Sequence, residues 1–294
     1  WWYSVGRRVD DIRQASLGGQ LKDRVIRKLV PSVPVIARWH LVPPALDVAD
    51  KVVNGRDPRY DDLPPASLRM RIGVSNRLLR NASVFEEGQD LVRRCVAGGL
   101  VSAGDRVLEL GSGVGRNLMA LRSQVDFTSY VGIDVDAEMV AWCRDNLSDE
   151  SVQFHHADLF SAVYNPTGSP ASDYRFPVED ASVDFSLAVS VFSHLLAADT
   201  AHYAAELGRV TAPGGYASLS FFLLEHVQAL LGDRWNFEHE LEGCWVENPK
   251  YPEAAVAYNE ATIVDLFAQH GLSLEAINDR DQHQQTLIFR REAR

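Results

Sequence analysis

The stretch VLELGSGVGRN, Val107 to Asn117, constrains the fold of this chain more than any other: an apolar run ends in an acidic residue and is followed by three glycines at alternate positions. A run of that kind reads as a buried strand turning tightly into a helix. Gly111, Gly113 and Gly115 allow the turn φ values closed to other residues and bring bare backbone against a ligand at the helix start. The dinucleotide fingerprint G-x-G-x-x-G requires glycine at position 116, where this chain has Arg116, so the spacing is G-x-G-x-G instead.

From Asp105 onward, short apolar strands alternate with amphipathic helices, the pattern of a parallel α/β sheet. Strands are predicted near 106–110, 130–134, 152–156, 183–189 and 215–222, and helices near 116–123, 137–147, 199–209 and 259–270, the last stopped by Gly271. Two final strands, near 272–278 and 284–291, are close enough in sequence to pair as a hairpin. Residues 1–100 differ: they read as mainly helical, broken by Pro31, Pro34, Pro43, Pro44, Pro58, Pro64 and Pro65, and form an appendage to the core at 101–294.

With Glu109 two residues ahead of the first glycine, the loop resembles the first motif of class I S-adenosylmethionine-dependent methyltransferases. The resemblance implies a Rossmann-like, seven-stranded α/β sheet whose terminal hairpin inserts the last strand antiparallel to the others. It also implies S-adenosyl-L-methionine as cofactor, with S-adenosyl-L-homocysteine as product, and Glu109, Gly111, Ser112, Gly113, Gly115 and Asn117 around it. A nicotinamide-dependent oxidoreductase is disfavoured by the glycine spacing.

Asp134 ends the second apolar strand, where an acid at the carboxyl edge of an open sheet can accept both ribose hydroxyls; Val135 follows it. Its rival Asp136 is better placed to cap the next helix, with Glu138 in the first turn. By resemblance, Asp158 receives the adenine amino group, with Ala157 and Leu159 giving backbone contacts and apolar walls, while His155 and His156 alternate faces as packing residues.

The block FPVEDASVDFSLAVSVFSHL resembles the family's fourth strand and following turn, so Val189, Ser190, Val191, Phe192 and His194 border the site of methyl transfer. A neutral His194 has the chemistry of a general base for a hydroxyl acceptor, and a purely structural role at the helix start is the alternative. Metal-assisted relatives place an aspartate after the fourth strand and an Asp-Asn pair after the fifth. Here those ends read SVFSH and FFLLEH, so no metal ion is expected.

After LGRVTAPGGYASLSFFLL, which resembles the family's helix, turn and fifth strand, an insertion at about 225–259 exceeds the usual connection of roughly 2–6 residues. Its His226, Trp235, Trp245 and Tyr258 are candidate acceptor contacts, with Phe192, and a surface excursion with its own packing is the other reading. Arg69, Arg71, Gly73 and Phe85 are candidates for a lid.

Charge narrows the acceptor. Residues 1–40 carry a net +5, so the rest of a chain that is −11 overall carries −16, and an acidic body repels a phosphate backbone. Nucleic acid is therefore not the expected partner; a small-molecule acceptor is, methylated on a hydroxyl of a sugar, glycoside or secondary metabolite, with nitrogen or carbon acceptors and a non-catalytic scaffold as alternatives. The basic segment reads either as a solvated helix face or as an arm docking peripherally on an anionic membrane or on an acidic partner. Three cysteines, Cys95, Cys143 and Cys244, give no disulfide framework, and no apolar run reaches the roughly 20 residues of a membrane helix. A cytoplasmic setting is expected, the arginine dominance hints at a bacterial source, and homo-oligomerisation stays open.

Overall fold

The computed structural model describes residues 43–55, 63–72, 81–161, 165, 167–226, 236–280 and 282–293. The basic segment 1–40, Gly73 and Trp235 lie outside them. The chain divides into two compact units, Trp1–Asn81 and Ala82–Arg294.

In the first unit, helix α1 spans Pro43–Asn54 and the short helix α2 spans Ala66–Arg69. The proline pair Pro43-Pro44 starts α1 instead of breaking it, because the first-turn N–H groups it lacks have no partner within a helix. Two acids of α1 hold α2. Asp47 accepts from the Ser67 main chain and hydroxyl, both at 2.9 Å, and Asp50 accepts from the buried Arg69 guanidinium and, at 2.7 Å, from Asn54 Nδ2.

The second unit opens with helix α3, Asn81–Ala97. Its Val92 and Cys95 are buried in one core cluster with Val107, Leu118, Leu121, Tyr130 and Phe154, so this helix packs with the sheet. The alternating pattern then delivers β1 (Arg106–Leu110), α4 (Arg116–Gln124), β2 (Ser129–Asp134), α5 (Ala137–Leu147), β3 (Val152–His156), β4 (Val183–Ala188), α6 (Ala197–Val210) and β5 (Thr211–Leu223). The five strands pair in parallel in the order β3-β2-β1-β4-β5, and their near-continuous apolar runs suit a sheet covered on both faces.

Past helix α7 (Glu260–Ala268), Gly271 takes φ 79° and the chain enters β9 (Leu272–Asn278) and β10 (Gln285–Arg291). The pair forms the expected antiparallel hairpin, with β10 lying antiparallel against β5. These seven strands reproduce the expected sheet with its reversed terminal strand.

The insertion corrects the strand count. It contributes β6 (His239–Leu241), β7 (Cys244–Val246) and β8 (Val256–Tyr258), giving ten strands in one sheet among the described residues. The reason is the length of β5, 13 residues. Residues Tyr216 to Phe221 pair with β10, and the overhanging Phe222 and Leu223 pair in parallel with Ala257 and Tyr258 of β8. Gln285 seals the junction from a fully buried position, its Oε1 accepting Leu223 N–H at 3.1 Å. Aromatic stacking fills the core beneath: Phe192 on Phe221 at 4.7 Å between centroids and Phe267 on Phe289 at 4.4 Å.

Candidate functional site

The strand order reverses between β1 and β4, and the carboxyl ends of these two strands form the natural cleft of an open parallel sheet. After β1, Gly111, Gly113 and Gly115 have φ of 68°, 53° and 73°. All three occupy the left-handed region, where a Cβ is disfavoured. At Gly111 a Cβ would also lie 2.5 Å from Val191 Cγ2, in the turn after β4. The loop is tied to β2 by Gly111 and Ser112 N–H groups donating to Ile133 O at 2.8 and 3.1 Å.

Glu109, almost fully buried, organises this loop from beneath. Its Oε1 accepts from Asn117 Nδ2 at 2.7 Å and its Oε2 from the Tyr130 hydroxyl at 2.5 Å, while burial pushes the carboxyl up to about 7. Asp134 closes the other side. Its Oδ2 accepts Gly113 N–H at 2.7 Å and its Oδ1 accepts Asp136 N–H at 2.9 Å, and burial raises it to about 6 against the lowering effect of those bonds. Asp136 caps α5 through Glu138 and Met139 N–H groups, the role read for it in the sequence.

After β4, Ser190 is one of four described non-glycine residues with positive φ, at 56°. Strain of this kind concentrates at functional sites. Its N–H donates to Ser220 Oγ of β5 at 2.7 Å. The chain then makes a 3-10 turn over Phe192–His194, and His194 Nδ1 lies 2.8 Å from the Glu253 carbonyl in the insertion. A carbonyl only accepts, so Nδ1 carries the hydrogen and the lone pair of the neutral ring is on Nε2. Burial lowers the pKa of His194 below the ordinary histidine value, which keeps the ring neutral near pH 7.

The family described as a methyltransferase domain matches residues 108–219, the span from β1 through most of β5. The span that holds the glycine loop, Asp134 and His194 is thus similar to a methyltransferase domain. Two solved structures share its fold. One is a chain of the complex between the Haloferax volcanii Trm112 methyltransferase activator and a methyltransferase, 19% identical, with 72% of this chain and 94% of that chain covered and a TM-score of 0.51. The other is the PH0226 protein from Pyrococcus horikoshii OT3, 15% identical, with 72% and 92% covered and a TM-score of 0.50.

The cleft has groups that fit the cofactor expected from the sequence, S-adenosylmethionine. Two nearly buried polar atoms in the glycine loop, Ser112 Oγ and Asn117 Oδ1, have no hydrogen-bond partner among the described residues, and the Asp134 carboxyl lies directly across from Gly113. An adenosyl group brings hydroxyls and ring nitrogens that complement acceptors and donors of this kind.

Other expected residues fall in different places. Val135 O is 3.2 Å from His156 Nε2, beside Asp134. Ala157 is buried with its N–H on Asp134 O at 2.9 Å; Leu159 is buried, and Asp158 is exposed with its carboxylate held by Asn165 Nδ2 at 2.9 Å. Val189 is half-buried ahead of Ser190.

Two of the expected acceptor contacts, Phe192 and Tyr258, need correction. Phe192 is fully buried, stacked on Phe221, and Tyr258 is 2% exposed with its hydroxyl donating to Leu195 O at 2.8 Å and lying 2.9 Å from Thr200 Oγ1. Both are core residues, because β8 adds to the sheet edge and turns Tyr258 inward. Trp245 is half-buried against a small cluster of Phe222, Phe237, Ala255 and Ala257. His226 is in the helical stretch just after β5, its Nε2 2.7 Å from Arg280 Nη1. Arg69 is buried with Asp50 inside the first unit. The sequence reading missed Ser220, Tyr130 and the Glu253 carbonyl. Tyr130 had a visible signal, facing the β1 acid across neighbouring strands; the other two had none.

Proposed function

We propose that this methyltransferase O-methylates a small, hydroxyl-bearing acceptor, such as a sugar, glycoside or secondary metabolite, without a metal ion, and that His194 is the general base. The observation that carries this reading is the Nδ1 contact of His194 with the Glu253 carbonyl. It sets the tautomer whose Nε2 can accept a hydroxyl proton, and the lowered pKa keeps that nitrogen unprotonated at neutral pH.

S-adenosylmethionine supplies the methyl group as an electrophile on sulfur and leaves as S-adenosylhomocysteine. Asp134 accepts the ribose hydroxyls, Glu109 holds Asn117 and Tyr130 in place beneath the loop, and Ala157, Asp158 and Leu159 border the adenine. Val189 and Ser190 border the methyl end. The acceptor's hydroxyl proton goes to His194 Nε2 as the oxygen is aligned, and much of the acceleration comes from that alignment.

The test is transfer of isotopic label from S-adenosylmethionine to a panel of hydroxylated acceptors. Transfer to oxygen is expected, with His194→Ala losing roughly 100-fold in turnover at nearly unchanged cofactor affinity. Because the histidine must be neutral, wild-type turnover falls on acidification with an apparent pKa below the ordinary histidine value, and His194→Asn loses that limb. Labelled nitrogen or carbon products, or an intact acid limb in His194→Asn, would overturn the proposal.

A further inference from the structure

We propose that Gln284, in the loop between β9 and β10, is a positioning residue that clamps the turn after β4 and thereby fixes His194. Its link to catalysis rests on the reading of His194 given above; the clamp itself rests on geometry.

Ser190 has a φ of 56° that a serine adopts only when its surroundings over-determine it. Three bonds do so. Ser190 N–H donates to Ser220 Oγ at 2.7 Å, and the hydroxyls of Ser190 and Ser220 both donate to Gln284 Oε1, at 3.1 and 2.9 Å. One amide oxygen with two lone pairs thus accepts both hydroxyl protons, and Ser220 Oγ remains an acceptor for the main chain. The amide nitrogen of Gln284 reaches the fully buried Ser193 Oγ at 3.4 Å. A single side chain therefore touches the turn at its first residue and at the residue before His194.

The turn passes this constraint on. It is closed by His194 N–H donating to Val191 O at 2.9 Å, and Val191 occupies the space that a side chain at Gly111 would fill. Movement of the turn therefore disturbs the glycine loop as well.

The hairpin is built to deliver Gln284 firmly. Its neighbour Gln285 is in register with Phe221 and donates through Nε2 to Gln282 O at 2.8 Å. Thr286 Oγ1 donates to Asp279 Oδ2 at 2.7 Å across the loop, and Gln282 N–H donates to Asp279 O at 2.9 Å. With leucine at 284, two serine hydroxyls lose their acceptor and Ser190 is free to relax to negative φ.

Hydrogen exchange read by mass spectrometry on the full chain tests the clamp, using peptides that cover 188–194. Gln284→Leu should speed exchange there at least tenfold while the thermal midpoint stays nearly unchanged. Glycine takes φ 56° without strain, so in a Ser190→Gly background the same substitution should speed exchange less than threefold. Gln284→Glu retains the shared acceptor and should keep the Ser190 end protected while loosening the Ser193 end. The His194 ring, followed by NMR, should titrate closer to the ordinary histidine value in Gln284→Leu, and S-adenosylhomocysteine affinity by calorimetry should drop about fivefold. Equal effects of Gln284→Leu in both backgrounds, or an unmoved His194 titration, would overturn the clamp. If the wild-type chain does not bind S-adenosylhomocysteine, the functional reading falls while the exchange results still judge the clamp.

Discussion

Two carboxyls at the head of the parallel sheet sit where their charge is disfavoured. Burial lifts Glu109 to about 7 and Asp134 to about 6. Each binds its proton more tightly in the folded chain than in the unfolded one, so the stability this contributes is complete below the unfolded carboxyl pKa of about 4 and is lost as pH rises through those two values. Glu109→Gln removes one such group. Melting curves of the ligand-free protein should show the variant gaining on the wild type between pH 4.5 and 8, and a constant difference across that range would exonerate Glu109. At Asp134 the same carboxyl that receives Gly113 N–H is expected to receive the ribose, and Asp134→Ala should weaken S-adenosylhomocysteine binding by about 1–3 kcal/mol in calorimetry. Unchanged affinity would remove that role.

At the level of elements, the decisive contact is between the loop after β1 and the turn after β4. Gly111 joins them: it has φ 68°, and a Cβ added there would meet Val191 Cγ2 at 2.5 Å. Gly111→Ala therefore carries a backbone penalty and displaces the turn, and it should cost about 1–3 kcal/mol of stability, seen as a lower thermal midpoint, together with weakened cofactor binding. A variant of wild-type stability would show that the loop and turn are not packed together. The insertion acts on the same turn from the other side, through the Glu253 carbonyl on His194. Its Phe237, Trp245 and Tyr258 do something else, extending the sheet at β8 or packing in cores.

For the whole molecule, ligand binding and folding are linked. S-adenosylhomocysteine at about 100 times its Kd should stabilise the chain by about 2.7 kcal/mol. For a domain of this size that raises the midpoint by roughly 5–10 °C in a thermal-shift assay. A shift with a nicotinamide dinucleotide and none with S-adenosylhomocysteine would contradict the assignment of the glycine loop. Among the described residues, no helix is long and apolar enough to cross a membrane. The sequence by itself determined the seven-stranded frame and the positions of Gly111, Asp134, Asp136 and His194, because apolar periodicity, glycine spacing and helix caps act over a few neighbouring residues. Only the tertiary structure decided that β5 overhangs its partner far enough to recruit β8, that Phe192 and Tyr258 face the core, and that Ser220, Glu253 and Gln284 converge on one turn. Those outcomes depend on register between strands and on contacts between residues as much as 94 positions apart, which no local pattern encodes.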